Sequence, residues 1–177
     1  MEFTLLSRHM TSEGELTPSG LVPLRYDEES KVAFGERRRL TMFFEPDAVV
    51  LPNGQRRERW PGVQDTASQF VQLTYRFTHQ PELLTPGTTV EVPLALPRHV
   101  DHWVYDVLGT ETLYTPFGAV DGVHLKPRPA AWRRGDLTAE IWFAPSLHYL
   151  PVRILIRQDA ETYIDLIIKR RPQLAAQ

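Results

Sequence analysis

Cysteine is missing from the 177 residues of this chain, and long apolar runs are missing as well. The lack of cysteine excludes disulfides, thiolate metal sites and a cysteine nucleophile, and it is compatible with either the cytosol or the periplasm. No apolar stretch reaches the ~18 residues of a membrane-spanning helix. The net charge of −2 rules out a strong global field of either sign, so we expect no nucleic-acid partner, and the lack of long apolar runs predicts no membrane span.

Catalytic and metal-binding signatures are also scarce. No Gly-x-Ser-x-Gly elbow occurs, and Ser146 near His148 fits a turn better than a catalytic pair. His99 and His102 would point to opposite faces of an extended segment, so we interpret them as surface loop histidines rather than metal ligands. The consecutive acids at 27–29 are interpreted as a solvated strand end. We therefore predict no catalytic residue, no cofactor and no metal site.

Arginines occur in short groups at 37–39, 56–59 and 133–134, and a further basic group lies at 169–171. One hypothesis is that the groups converge into a patch for lipid head groups or phosphate. The alternative is that they are spread over exposed strand edges, where charge opposes aggregation, and we favour this alternative.

Many segments of the chain alternate between apolar and polar residues with a period of two. The alternation is clearest near the carboxyl end, in three runs between residues 139 and 168 that are separated by turn-forming residues such as Pro145 and Pro151. This period suits half-buried strands. Residues 55–62 are predicted to form a loop, and Gly109 with Thr110 a turn between two strands. Further strands are predicted at 3–16, 23–28, 38–45, 49–51, 89–96, 103–108, 111–114 and 119–126.

One segment has helical spacing instead, and it covers residues 65–79. Thr66 and Gln69 fit a capping box at its start, and Pro81 stops the pattern at its end. Its broad apolar face includes Phe70 and Phe77, which we expect to be buried beneath the sheet.

These elements predict a mainly β protein: a strongly twisted antiparallel sheet, or open half-barrel, of about nine strands wrapped against one α-helix. The length fits a single domain over residues 1–177. Residues 169–177 are predicted to be a frayed tail.

Several motifs occur in a characteristic order. They are Gln64-Asp65 at the start of the helix, Pro86-Gly87-Thr88 before a strand, and the runs 107–112, 114–118, 140–145 and 150–154. In this order they resemble the bacterial family called domain of unknown function 3108, over most of the chain. The resemblance implies a sheet like those of the carrier and receptor that serve outer-membrane lipoproteins, and export to the periplasm of Gram-negative bacteria. It brings no catalytic residues.

The resemblance also implies upstream segments that this sequence lacks. Residues 1–7 have neither the basic start nor the apolar core of a signal peptide, and the first strands of the family are missing. We therefore expect the chain to be a trimmed or carboxyl-terminal piece of a longer protein, in which the strand near Phe3 presents an unnatural edge.

Apolar residues also occur on what should be the outer faces of the strands. A sheet that is apolar on both faces has two neighbours, of which one is the helix and the other a ligand, a partner, the missing upstream strands or ordinary core. If this face lines a groove, Trp142 should be partly exposed there. The candidate groove residues are Phe43, Trp142, Leu155 and Ile167 of the strands, with Phe70 and Phe77 of the helix.

Three functions remain open at this point. The first is a non-enzymatic periplasmic module that holds an acyl chain, a lipidated segment or an unfolded protein segment between the sheet and the helix, with a lipid, a lipoprotein or another envelope protein as its partner. The second is a cell-envelope scaffold without a small ligand. The third, and least favoured, is a hydrolase.

Overall fold

The structure is a computed structural model that describes residues 6–32, 35–128, 137–157 and 161–173. In these ranges the chain forms two antiparallel sheets, one α-helix and two short 3₁₀ turns, at Pro81–Leu84 and Pro145–Leu147. This confirms the prediction of a mainly β protein with one helix. The predicted count of about nine strands is wrong, because eleven strands are shared between the two sheets.

The first sheet contains five strands that follow one another in chain order. The last of these strands lies within residues 55–62, so the prediction of a loop there is wrong for its three residues. All three side chains are exposed, so no apolar alternation marks the segment as a strand. It pairs in register with its neighbour, as Val49 opposite Arg57 shows. The strands are β1 (Leu6–Thr17), β2 (Gly20–Val32), β3 (Arg37–Phe44), β4 (Ala48–Val50) and β5 (Arg56–Glu58).

The second sheet contains six strands in the order β11-β10-β9-β8-β7-β6. The three predicted carboxyl-terminal strands are present. The turn predicted at Gly109 and Thr110 is wrong: Gly109 has a φ of 150° and lies at a β-bulge inside one long strand. The strands are β6 (Thr89–Leu96), β7 (His99–Thr115), β8 (Gly118–Pro127), β9 (Thr138–Ala144), β10 (Leu150–Arg157) and β11 (Tyr163–Ile167).

The helix α1 (Ser68–His79) begins three residues later than predicted. Its amino terminus is capped by Asp65, whose Oδ1 accepts hydrogen bonds from the backbone N–H groups of Ala67 at 2.9 Å and Ser68 at 2.8 Å. The Ser68 hydroxyl in turn accepts the Asp65 N–H at 2.9 Å. A capping box is therefore present, but one residue earlier than the predicted one. Thr66 is free of that role and donates its hydroxyl to the Tyr26 oxygen at 2.7 Å.

The chain folds into two compact units. The first comprises residues 1–72 and 92–102, and the second comprises residues 73–91 and 103–177. The first sheet lies in the first unit, while α1, β6 and β7 contribute residues to both. The prediction of a single domain stays a prediction. The frayed tail also stays a prediction: residues 169–173 belong to no strand or helix, and residues 174–177 lie outside the described residues. The predicted strand edge at Phe3 lies outside the described residues as well.

The core of the first unit is an aromatic and aliphatic cluster above the first sheet. Glu28 is buried beside it, where its carboxylate accepts hydrogen bonds from Arg8 at 2.7 Å and from the Tyr26 hydroxyl at 2.8 Å. Burial is the main cause that raises the pKa of Tyr26. The buried members of the cluster are Tyr26, Met42, Phe44, Val49, Leu51, Val63 and Ala95.

In the second unit, apolar side chains pack on both faces of β9. On one face the rings of Phe77 and Phe143 meet edge to face, with centroids 4.9 Å apart, and both residues are fully buried. This confirms the burial predicted for Phe77. Phe70, assigned to the first unit, is only half-buried, because helical spacing identifies an apolar face but not how much of it is covered. The other face of β9 carries the cluster Leu113, Val120, Trp142, Ala144, Leu147, Val152 and Leu155.

Candidate functional site

The second unit contains an open cleft with a volume of about 470 Å³. Its walls come from β7 on one side and from β10 and β11 on the other. In a flat sheet, four strand spacings of roughly 4.8 Å would hold β7 and β11 about 19 Å apart. The sheet must therefore curve to bring both strands to one cleft. The cleft is lined by Thr112, Leu113, Tyr114, Arg153, Asp165 and Ile167.

Strand register decides which side chains share the face of this cleft. His124 on β8 lies opposite Trp142 on β9, and Trp142 lies opposite Arg153 on β10. Side chains directly opposite one another point to the same face of a sheet. The face that carries the cleft therefore also carries a row of polar and aromatic side chains running across three strands.

His124 occupies the middle of this row and is buried. Its Nδ1 lies 2.9 Å from Glu111 Oε1, and its Nε2 lies 2.9 Å from Glu140 Oε2. Both ring nitrogens therefore lie at hydrogen-bond distance from a carboxyl group, one contributed by β7 and the other by β9. Arg157 places a guanidinium beside Glu140, at 3.5 Å.

Trp142 packs directly against this ion cluster. Its indole N–H donates to Glu111 Oε2 at 2.9 Å, and its ring stacks on His124 with centroids 4.0 Å apart. The guanidinium carbon of Arg153 lies 4.7 Å from the Trp142 ring centroid, at cation–π distance. With these neighbours only 3% of Trp142 is exposed, so the expected partial exposure of this residue is wrong.

Two carboxyl groups on this face have lowered pKa values. The bidentate contact with Arg153, at 2.9 and 2.7 Å, is the main cause that holds the pKa of Asp165 below its usual range. Partial burial acts to raise the pKa of Glu111, but hydrogen bonds from Trp142 and His124 outweigh it, and the pKa is lowered. Arg153 and Asp165 thus neutralise each other at the wall of the cleft.

The predicted groove residues of the second unit have different environments. Trp142 and Leu155 are buried in one cluster, whereas Ile167 lines the cleft and is 44% exposed. Phe77 lies on the opposite face of β9, against Phe143. At this point between helix and sheet the two rings are in contact and fully buried.

The remaining two groove candidates, Phe43 and Phe70, belong to the first unit. Phe43 is exposed on β3, and the guanidinium of Arg25 lies 5.7 Å from its ring centroid. Phe70 is half-buried on α1.

The histidines considered as metal ligands lie on β7 in the first unit. His99 is buried and His102 is exposed, so the two point to opposite faces as expected. The interpretation of both as surface loop residues is wrong, since both lie on a strand and only His102 is at the surface. His102 stacks on Trp60, with ring centroids 4.2 Å apart. Among the residues that the structure describes, no group of three or more histidine, cysteine, aspartate or glutamate side chains is arranged to hold a metal ion. Ser146 and His148 are exposed in a turn.

The charged groups of the first unit are largely paired with one another. Glu28 is buried in the middle of β2, so its interpretation as part of a solvated strand end is wrong. Glu29 pairs with Arg37 at 3.2 Å and with Arg39 at 2.6 Å. Arg56 pairs with acids of the β3–β4 turn. Residues 133–134 lie outside the described part of the chain, so convergence of the basic groups stays a hypothesis.

A smaller open cleft of about 220 Å³ lies in the first unit. The Arg59 guanidinium at its wall donates to three backbone oxygens, those of Phe44, Glu45 and Pro23. The Arg59 guanidinium is therefore already engaged by backbone carbonyl groups of the protein. The lining residues are Leu21, Val22, Pro46, Arg59, Trp60, Pro61, Gly62 and Val63.

Sequence reasoning missed the ion cluster around His124. Glu111 and Glu140 lie 13 and 16 residues from His124 along the chain and form no motif with it. With a period of two, the side chain of His124 lies on the opposite face of β8 from Val123 and Leu125, which are buried. Alternation alone therefore gives no indication that His124 is buried too. The signal that was lacking is the register of β7, β8 and β9, which brings the three side chains together.

The fold and the cleft define the class as an antiparallel β protein whose curved second sheet carries a solvent-open cleft. The chain belongs to the family described as protein of unknown function DUF3108, whose model matches residues 2–163. This confirms the family that the ordered motifs indicated. No curated protein and no solved structure matches the chain. Within the described ranges, no helix has both the length and the apolar character needed to cross a membrane.

Proposed function

We propose that this chain is a non-enzymatic binding module that holds the apolar part of an amphiphile, such as an acyl chain, in the cleft between β7 and β11. The observation that carries the proposal is the cleft itself, whose volume of about 470 Å³ falls within the roughly 300–1,000 Å³ of typical ligand sites. Leu113, Tyr114 and Ile167 supply apolar surface to its walls.

The charges at the cleft favour an uncharged occupant. Arg153 is engaged by Asp165 in a bidentate pair and stacks on Trp142, so its cation is already compensated. A free phosphate or carboxylate would have to compete with Asp165 for it. The cleft thus suits an aliphatic chain or a neutral head group better than an anion.

The site proposed here differs from the one that the sequence suggested. Phe77 and Phe143 are fully buried in contact with each other in the second unit, so we place the ligand on the opposite face of the sheet, where Ile167 is exposed. The floor beneath the cleft includes Leu113, which belongs to the same buried cluster as Trp142.

We also propose that the protein works in the periplasm of a Gram-negative bacterium. The family resemblance supports this location, and the lack of cysteine is compatible with it. Fractionation of the source cells tests it: recovery of the protein in the osmotic-shock fraction supports the proposal, and recovery with cytosolic markers contradicts it.

Ligand binding is tested with the neutral fluorescent probe N-phenyl-1-naphthylamine and with an unlabelled neutral monoacylglycerol, monolaurin, as competitor. We expect saturable binding of the probe and displacement by the competitor. Ile167→Gln should weaken binding by about 5- to 10-fold, because the loss of apolar contact at this side chain costs about 1–1.4 kcal/mol of binding free energy.

Ile164→Gln is the matched control. Ile164 lies on the same strand, is exposed to a similar extent at 40%, and points to the other face of the sheet. We expect it to leave probe binding unchanged. Equal weakening by both substitutions, or no saturable binding to the unsubstituted protein, would contradict the proposed site.

The second candidate function is a cell-envelope scaffold without a small ligand. The burial of Trp142 and Leu155 favours it, since two of the residues predicted to line a groove are packed into the core of the second unit. Complete absence of probe binding would leave this candidate in place of the first.

A further inference from the structure

β11 is an edge strand with unusual side chains. In the described part of the chain it pairs with β10 alone, and its large apolar residues are between 40% and 57% exposed. These residues point to both faces of the sheet, Tyr163 and Ile167 to one and Ile164 and Leu166 to the other. Exposed, uncharged strand edges promote pairing with another chain, and natural proteins usually protect them.

The edges of the first sheet show such protection. β5 is formed by Arg56, Arg57 and Glu58, all exposed. β1 has polar or charged side chains at most positions, with Leu16 as its exposed large hydrophobic residue. β11 carries a single charge, Asp165, whose carboxylate pairs with Arg153 but remains 37% exposed, so a residue placed opposite it still meets that charge. Of these edges, β11 is the one that remains attractive to another strand.

The backbone of β11 has hydrogen-bonding groups directed outward. The Ile168 N–H donates to the Val152 carbonyl at 2.9 Å, so the even-numbered residues here bond toward β10. Because bonding alternates along an antiparallel strand, the N–H and C=O groups of Tyr163, Asp165 and Ile167 face away from β10. A further strand is the structure that can pair with all of these groups at once.

We propose that the β11 edge binds an extended segment of a partner polypeptide, which adds to the sheet as an antiparallel strand. The occupant has apolar residues that match Ile164 and Leu166 on one face and Tyr163 and Ile167 on the other. It has a basic or neutral residue opposite Asp165, because like charges directly opposite each other destabilise a strand pair. This proposal does not rest on ligand binding in the cleft.

A second copy of this chain is a poorer occupant than a different polypeptide. The antiparallel register that pairs all five residues of β11 with a second β11 places Asp165 opposite Asp165. For a short peptide segment, main-chain hydrogen bonds supply much of the affinity when the strand adds to a sheet edge.

The test uses two synthetic peptides whose cores are Tyr-Ile-Lys-Leu-Ile and Tyr-Ile-Asp-Leu-Ile, each flanked by glycine. Binding is followed by NMR of the backbone amides of the full chain. We expect the lysine peptide to shift the amide signals of Tyr163, Asp165 and Ile167 and to slow their hydrogen exchange. The aspartate peptide should bind at least ~5-fold more weakly, because its aspartate would lie opposite Asp165.

Backbone methylation of the lysine peptide provides a matched pair of probes. Methylation at the first, third and fifth core residues blocks the amides that would face β11, and we expect it to abolish the shifts. Methylation at the second and fourth core residues blocks amides on the far side, and we expect binding to persist. Equal binding of the two methylated peptides would overturn strand addition.

Protein variants complete the test. Ile164→Lys should weaken binding of the lysine peptide by about tenfold or more, whereas Leu108→Lys, a change at an exposed residue of β7, should leave it unchanged. Absence of peptide-induced shifts in the unsubstituted protein would overturn the proposal. So would a concentration-dependent dimer in sedimentation that Ile164→Lys abolishes, because it would identify a second copy as the occupant.

Discussion

Trp142 and His124 lie among five charged side chains on one face of the second sheet. Glu111, Glu140 and Asp165 supply the acids, while Arg153 and Arg157 supply the fixed cations. The indole and both imidazole nitrogens have partners, as buried polar groups usually do. The cluster therefore places charge beside a hydrophobic core without leaving a buried group unsatisfied.

Acid should weaken the second unit through these pairs. The lowered pKa values of Glu111 and Asp165 mean that the unfolded chain takes up protons before the folded one as the pH falls. Their contribution to the free energy of unfolding is full above about pH 5 and is lost as the pH drops through the folded-state pKa values. We expect urea midpoints to fall between pH 5 and pH 2.

The double substitution Glu111→Gln and Asp165→Asn tests this origin. It should lower stability at pH 7 and make the loss between pH 5 and pH 2 shallower, because both titrating groups are gone. Leu108→Gln, a change at an exposed residue without a titrating group, should leave the slope as it is. An equally steep acid loss in the double variant would show that other groups cause it.

Phe77 is expected to be a major contributor to the core of the second unit. Its ring is fully buried against Phe143, so Phe77→Ala should cost about 3–5 kcal/mol of unfolding free energy. Phe70→Ala should cost less, since Phe70 is only half-buried. Urea unfolding measures both, and equal losses would contradict the difference in burial.

Among the elements, β7 departs most from its sequence pattern. It runs unbroken from His99 to Thr115, although Gly109 and Thr110 look like a turn. The register against β8 shifts between Val107 and Gly109, which marks a bulge. A glycine suits this point because its φ of 150° is rarely adopted by residues with a Cβ.

Gly109→Ala should therefore destabilise the protein by about 1–3 kcal/mol, from backbone strain alone. Space is not the cause, since a Cβ built at Gly109 meets no atom within 4 Å. Leu108→Ala is the neighbouring control, at an exposed side chain of the same bulge without a positive φ, and should cost under about 1 kcal/mol. Thermal or urea unfolding separates the two, and an unchanged midpoint for Gly109→Ala would refute the strain.

The helix shows how close local rules come to the structure. Its position and its capping box follow from the sequence, but the cap is Asp65 rather than Thr66. Both residue types cap helices well, so propensity does not choose between them. Contacts distant in sequence decide it, since Ser12 donates to Asp65 at 2.6 Å and Thr66 donates to Tyr26 at 2.7 Å.

For the whole molecule, the two units share three elements. Residues of α1, β6 and β7 are divided between the units, so neither unit has a full set of elements of its own. We expect urea unfolding to show one cooperative transition, as small domains usually do. Circular dichroism and the indole NMR signals of Trp60 and Trp142 should give the same midpoint. Separate midpoints for the two tryptophans, which lie in different units, would contradict the prediction of a single domain.

Local spacing was enough to predict the mainly β class, the one helix and the carboxyl-terminal strands. Alternation at period two and the apolar spacing of α1 are properties of neighbouring residues, so they can be read without knowledge of the rest of the chain. The family was predicted from a resemblance of ordered motifs, including those near Gln64, Gly109 and Trp142, and the family model matches residues 2–163. The helix face predicted the burial of Phe77 correctly.

Tertiary structure alone decided which of these residues meet. The division into two sheets, the site at β7 and β11, and the contacts of His124 with Glu111 and Glu140 depend on strand register and curvature. Register is set by pairing between distant segments, and a slip of one residue would turn every side chain of a strand to the other face. Trp142 and Ile167 both occupy apolar positions on the same face of alternating strands. Strand pairing nevertheless buried Trp142 and left Ile167 exposed, because β9 lies inside the sheet and β11 forms its edge.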